Sequence, residues 1–127
     1  MKTPIYAFDL DRYYDTRRFE ALKAFAATKQ TPFLLIDLGR IAERYDELVR
    51  EMSFARPFYA VKANPHESIL KLLAARGSSF DVASVYELDQ MLALGVEPER
   101  ISYGNTIKKA RDIAYAYHKG IRLFATD

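Results

Sequence analysis

The chain has 127 residues, 50% of them apolar and 28% charged, enough to bury one hydrophobic core and ordinary for a soluble globular protein. A formal charge of +2 is too small for a nucleic-acid binder, and the basic pairs Arg17-Arg18 and Lys108-Lys109 stand apart instead of forming a patch. No apolar run is long enough to cross a bilayer, and the opening MKTPIYAFDLDRYYD lacks the apolar core of a signal peptide. Without cysteine, disulfides and thiolate metal sites are excluded, so a cytoplasmic protein with neither nucleic-acid nor membrane partners is expected.

Phe19, Leu22 and Ala26 recur at helical spacing and predict a helix from about Thr16 to Ala27. After Thr31-Pro32, the apolar run Phe33-Leu34-Leu35-Ile36 suits a buried strand. Asp37 is placed to cap a helix reaching about Met52, with Ile41, Tyr45, Leu48 and Val49 on one stripe. Residues 1–37 thus read as an N-terminal extension of helix and strand, and residues 38–127 as a regular α/β segment.

That segment is marked by four short apolar runs: Phe58–Val61, Phe80–Ala83, Ile101–Gly104 and Ile121–Phe124. Their starts are about 20 residues apart, and each gap holds one amphipathic helix. The apolar positions are Ile69, Leu72 and Leu73 in the first, Leu88, Met91 and Leu92 in the second, and Ala110, Ile113, Ala114 and Tyr117 in the third. Asn64-Pro65-His66-Glu67 and Ser84-Val85-Tyr86-Glu87 both have capping-box spacing, while Gly77, Gly95 and Gly120 fall where a left-handed residue ends a helix. Strands and helices alternating in this way make right-handed crossovers and a parallel sheet, so the fold class is α/β. A complete (β/α)8 barrel takes roughly 250 residues. Four units are either half of one or a small open sheet.

In parallel α/β proteins chemistry gathers at the carboxyl ends of the strands. Alternation along the first strand puts Phe58, Ala60 and Lys62 on one face, with small Ala60 beneath the lysine stem. In the second strand Asp81 and Ala83 form the less apolar face, leaving Phe80 and Val82 for the helices; in the third, Ser102 and Gly104 are the small inward pair. An inward, sheltered lysine near a carboxylate suits imine chemistry, because partial desolvation favours the neutral amine that attacks a carbonyl. Each residue also has a plainer reading. Lys62 could be a solvated strand terminus, Asp81 a structural hydrogen bonder, and Ser84 with Glu87 a helix cap. His66 and His118 lack metal-ligand partners at useful spacing, and neither a glycine-rich phosphate loop nor a G-x-S-x-G elbow is present.

Three ordered blocks carry a further signal: Phe58-Tyr59-Ala60-Val61-Lys62-Ala63-Asn64, then Ser79-Phe80-Asp81-Val82-Ala83-Ser84 with Glu87, then Glu99-Arg100-Ile101-Ser102-Tyr103-Gly104-Asn105. Together they resemble the alanine-racemase-like decarboxylases, which include the ornithine, lysine, arginine and diaminopimelate decarboxylases. The resemblance runs from about Thr31 onward. It implies that residues 38–127 are about four units of a pyridoxal-5'-phosphate-binding (β/α)8 barrel, cut before closure. It implies that Lys62 holds pyridoxal phosphate as an imine, and that Asp81 and Glu87 lie close to the cofactor. Glu87 then has compatible structural and functional readings. The implied reaction removes the α-carboxyl of ornithine or lysine to give putrescine or cadaverine, as in polyamine biosynthesis, in an enzyme that is a homodimer at full length.

In such enzymes the phosphate-binding glycine-rich loop and the acidic partner of the pyridine nitrogen come from the later half of the barrel. A cysteine and an aspartate that complete the substrate site come from the partner subunit. None of these is expected within 127 residues that lack cysteine, so little decarboxylase activity is expected from this segment alone, and its open strand edges favour self-association. Two alternatives stay open. One is a non-catalytic fragment or relative that pairs with a full-length decarboxylase; the other is a diaminopimelate or arginine decarboxylase.

Overall fold

The computed structural model describes residues 14–127. The chain divides into two compact units, Met1–Ile36 and Asp37–Asp127. In the first, helix α1 spans Thr16–Ala26, and the Asp15 carboxylate caps it by accepting from the Arg18 N–H at 2.9 Å. The strand expected at Phe33–Ile36 does not form: these residues have no regular structure, and Leu34 is 81% exposed. An apolar run becomes a strand only when a neighbouring strand takes up its backbone groups, and the sheet uses other residues.

The second unit opens with α2, Leu38–Glu51, capped as expected by Asp37, whose carboxylate accepts from the Arg40 N–H at 3.0 Å. Strands β1 (Phe58–Ala60), β2 (Ser79–Val82), β3 (Ile101–Tyr103) and β4 (Leu123–Phe124) follow, with α3 (Glu67–Ala75), α4 (Val85–Ala93) and α5 (Ala110–His118) as crossovers. The sheet is parallel throughout, in the order β1-β2-β3-β4. No helix among the described residues is long and apolar enough to cross a membrane.

Register sorts the faces. Ala60 pairs with Asp81, Asp81 with Ser102, and Ser102 with Leu123, so these four share one side of the sheet. Tyr59, Phe80 and Ile101 share the other, and Phe80, Val82, Ile101 and Tyr103 are buried there together with Ile69, Leu70 and Leu73 of α3 and Leu88 and Met91 of α4. Tyr59 meets Phe80 edge-on, ring centres 6.3 Å apart. All crossovers of one hand put their helices on one side. The side bearing Asp81 is left open at β4, where Leu123 is 52% exposed.

Helix ends follow the glycines. At Gly77 (φ 81°) the N–H donates to Ala74 O while the Ser78 N–H reaches back to Leu73 O, closing α3 in a left-handed cap. Two stripes depart from expectation. In α5 the buried residue is Ala116, whereas Ile113 and Tyr117 are exposed, and the helix packs against α4. In α2 only Ala42 is buried, and Ile41, Tyr45 and Leu48 line an open groove of about 330 Å³ with Tyr59 and Leu73.

Two arginines lock the amino end of the sheet. Arg100 donates from Nε and Nη2 to Ser78 O (3.1 and 2.6 Å) and from Nη2 to Ala74 O (2.9 Å). Arg56 donates from Nε to Ser79 Oγ (2.7 Å) and from Nη2 to Glu99 O (2.9 Å). These bonds tie the last turn of α3 and the segments leading into β2 and β3 to one another. Arg100→Met is expected to lower stability by about 2 kcal/mol, the scale of losing charged hydrogen bonds to buried acceptors. Chemical denaturation measures it, and an unchanged midpoint would contradict the assignment.

Candidate functional site at the carboxyl rim of the sheet

Strand β1 ends at Ala60, and the next three residues, Val61–Ala63, close a single 3-10 turn instead of continuing extended. Val61 is buried and Lys62 is exposed at the carboxyl rim. The shelter expected for its amine is therefore not supplied by these residues. Desolvation needs atoms on the opposite side, and the open face of a four-stranded sheet provides few. Among the described residues the Lys62 ammonium has no hydrogen bond or ion pair.

The loop beyond Lys62 is tied down on three sides. The Tyr59 hydroxyl donates to Asn64 O (3.2 Å), Gln90 Nε2 of α4 donates to Pro65 O (3.0 Å), and Asn64 Oδ1 accepts the His66 N–H (3.1 Å). The capping box predicted at Asn64–Glu67 is displaced by this arrangement. His66 is the N-cap, its Nδ1 accepting from the Ser68 N–H at 3.3 Å, because Asn64 spends its side chain on the turn before the helix.

The second predicted box does form around Glu87. Its N–H donates to Ser84 Oγ (3.3 Å), and its carboxylate accepts from the Ala83 N–H (2.6 Å), one residue earlier than the standard box requires. Glu87 thereby pins the chain where β2 turns into α4. Asp81, one strand position below, is half-buried and accepts from Ser102 Oγ at 2.5 Å.

Pattern reading named Ser102 and Gly104 only as small residues and missed Tyr103 and Lys108. Lys108 Nζ donates to the carbonyls of Asn105 and Ala125, tying the ends of β3 and β4, and lies 5.5 Å from the centre of the Tyr103 ring. Ala83, Ser84, Tyr103, Asn105, Lys108 and Asp112 help line a cleft of about 300 Å³ at this rim, and Lys62 is not among its lining residues. Burial pushes the Tyr103 phenol above its ordinary 10.0, and the carboxylates of Asp112 and Glu87 add to the rise. Burial also raises Tyr59. A raised phenol holds its proton more firmly in the folded state, so this stability is complete below the unfolded value of about 10 and is lost as pH rises through the folded one. The thermal midpoint should fall above pH 10 or so, and Tyr103→Phe should flatten that fall. An equally steep decline in the variant would sink this.

Residues 38–127 match the family model described as "Pyridoxal-dependent decarboxylase, pyridoxal binding domain". The chain is 41% identical over 99 residues to a chloroplastic ornithine decarboxylase of Nicotiana glutinosa, covering 78% of this chain and 23% of that one. It is 41% identical over 106 residues to a lysine/ornithine decarboxylase of Selenomonas ruminantium, covering 84% and 27%. Superposition on the crystal structure of SrLDC in complex with PLP and cadaverine has a TM-score of 0.76 at 40% identity, covering 85% of this chain and 28% of that one. The chain thus spans about a quarter of the length of the curated relatives it matches.

Proposed function

Because this chain belongs to the pyridoxal-dependent decarboxylases, we propose that it is the lysine-bearing part of a pyridoxal-phosphate-binding barrel, with Lys62 as the cofactor lysine and Asp81 and Glu87 beside it. The observation that carries this reading is the position of Lys62. Within the family-matched segment it is an amine at the carboxyl rim of the first strand, uncommitted to any described partner.

The residues present fit the aldehyde end of the cofactor. Lys62 offers a free Nζ, Ala60 and Ala63 leave room around its stem, and Asp81 and Glu87 are anchored by hydrogen bonds. When bound, pyridoxal phosphate supplies an aldehyde for amines and a ring that accepts the electron pair left by a departing carboxyl group. Lys62 Nζ would hold the cofactor and, as a free amine, can accept and return a proton. Glu87 keeps the start of α4 rigid, and its charge adds to the negative field at the rim.

The substrate class is a basic amino acid, ornithine or lysine, whose α-carboxyl leaves as carbon dioxide while a proton takes its place, giving putrescine or cadaverine. Support comes from the names of the relatives, which include ornithine and lysine/ornithine decarboxylases. A homodimeric, cytoplasmic enzyme of polyamine synthesis belongs to the same reading and rests on the resemblance alone. The test is to add pyridoxal phosphate, reduce with borohydride and map the modified peptides. A label concentrated on Lys62 is the expected result; labels spread over the exposed lysines would overturn the assignment.

A further inference from the structure

The carboxylate of Asp81 has two neighbours in register, Ala60 on the β1 side and Ser102 on the β3 side. It leans to β3. Ser102, itself buried, donates its hydroxyl to Asp81 Oδ1 at 2.5 Å, within the short range of charge-assisted O–H···O⁻ bonds. Two residues further on, just past the end of β3, there is no side chain. A Cβ built on Gly104 would lie 2.5 Å from Asp81 Cγ and closer still to both carboxylate oxygens. The carboxylate occupies the space that a side chain at position 104 would fill, while the Gly104 N–H continues the backbone ladder to Val82 O at 3.0 Å.

On the other side, the 3-10 turn carrying Lys62 runs alongside β2. Adjacent strands are about 4.8 Å apart, so a carboxylate on β2 and a lysine at the end of β1 are within side-chain reach of each other. An ion pair between them would hold the amine protonated and unreactive toward an aldehyde. The structure shows the opposite arrangement, with the carboxylate committed to β3.

We propose that Ser102 and Gly104 are positioning residues that latch the Asp81 carboxylate onto β3 and so keep it off Lys62. The serine supplies the bond and the glycine the space. The inference rests on the reading of Lys62 as the cofactor lysine, and it adds two residues that act through Asp81.

The test measures the rate at which pyridoxal phosphate with borohydride labels Lys62, relative to exposed Lys119 in the same chain. Ser102→Ala and Gly104→Ala each free the carboxylate, and each is expected to slow Lys62 labelling about threefold to fivefold, the scale of an ion pair at a solvent-exposed site. Ser102→Thr keeps the hydroxyl and should retain the original rate. Unchanged labelling in both alanine variants, with folding intact by circular dichroism, overturns the latch. If unsubstituted Lys62 is labelled no faster than Lys119, the cofactor-lysine reading fails instead. The latch is then judged by the Asp81 carboxyl carbon resonance, which should shift in Ser102→Ala and return in Ser102→Thr; a resonance that does not move overturns it.

Discussion

Lys62→Arg is expected to bring pyridoxal-phosphate incorporation at position 62 to zero after borohydride reduction, and total incorporation down to that of the other exposed lysines. Arginine preserves the positive charge and the length of the side chain. Its guanidinium, however, stays protonated throughout the usable pH range and presents no amine lone pair to an aldehyde. The substitution thus separates covalent capture from electrostatic attraction of the cofactor phosphate, which both residues offer. Lys62 is exposed and unpartnered among the described residues, so the fold should tolerate the change to within about 0.5 kcal/mol. Mass spectrometry of the reduced protein, beside a thermal melt, reads both quantities. Equal incorporation in the two proteins would show that Lys62 is not the capturing amine, whatever the family resemblance implies.

Phe80→Ala is expected to unfold most of the second unit. Phe80 is 0% exposed, sits in the centre of β2 and meets Tyr59 edge-on from the neighbouring strand. Truncating a buried phenylalanine costs about 3–5 kcal/mol, because the transfer free energy of the ring is lost and a cavity remains. A domain of this size has about 5–15 kcal/mol in total, and less when small. Phe80→Leu retains most of the volume and should cost about 1 kcal/mol. Urea denaturation followed by circular dichroism orders the three proteins. An alanine variant with a midpoint near the original would mean that β2 is not the centre of the core. Asp81 is the next residue on β2, so losing Phe80 should also dissolve the Asp81–Ser102 bond, and the carboxyl resonance of Asp81 should report the loss.

The parallel β/α order was legible in the chain itself. Its apolar runs, its cap residues Asp37 and Ser84, and the glycines at 77, 95 and 120 act over a few residues, and local rules are enough to place them. The same holds for the faces of β2 and β3, because period-two alternation puts Phe80 and Val82 against the helices and Asp81 on the other side. Alternation drew attention to Lys62 at the end of the first strand, and the resemblance gave it a role; that role is the proposal that borohydride mapping tests.

Tertiary structure decided what depends on a partner distant in sequence. Phe33–Ile36 has strand composition, yet the four strands of the sheet are formed by other residues and it stays irregular. In α5, packed against α4, Ala116 is the buried residue while the larger Ile113 and Tyr117 stay exposed, an outcome that depends on the neighbouring helix and not on apolarity alone. Lys62, in the 3-10 turn at Val61–Ala63, is exposed because the open face of the four-stranded sheet puts few atoms over it. Whether Asp81 leans toward β1 or β3 depends on a hydroxyl 21 positions away and on the empty volume at Gly104. Local preferences follow from one residue and its near neighbours in the chain. A carboxylate with two possible partners takes the one that the folded sheet places within hydrogen-bonding distance, and only the coordinates show which.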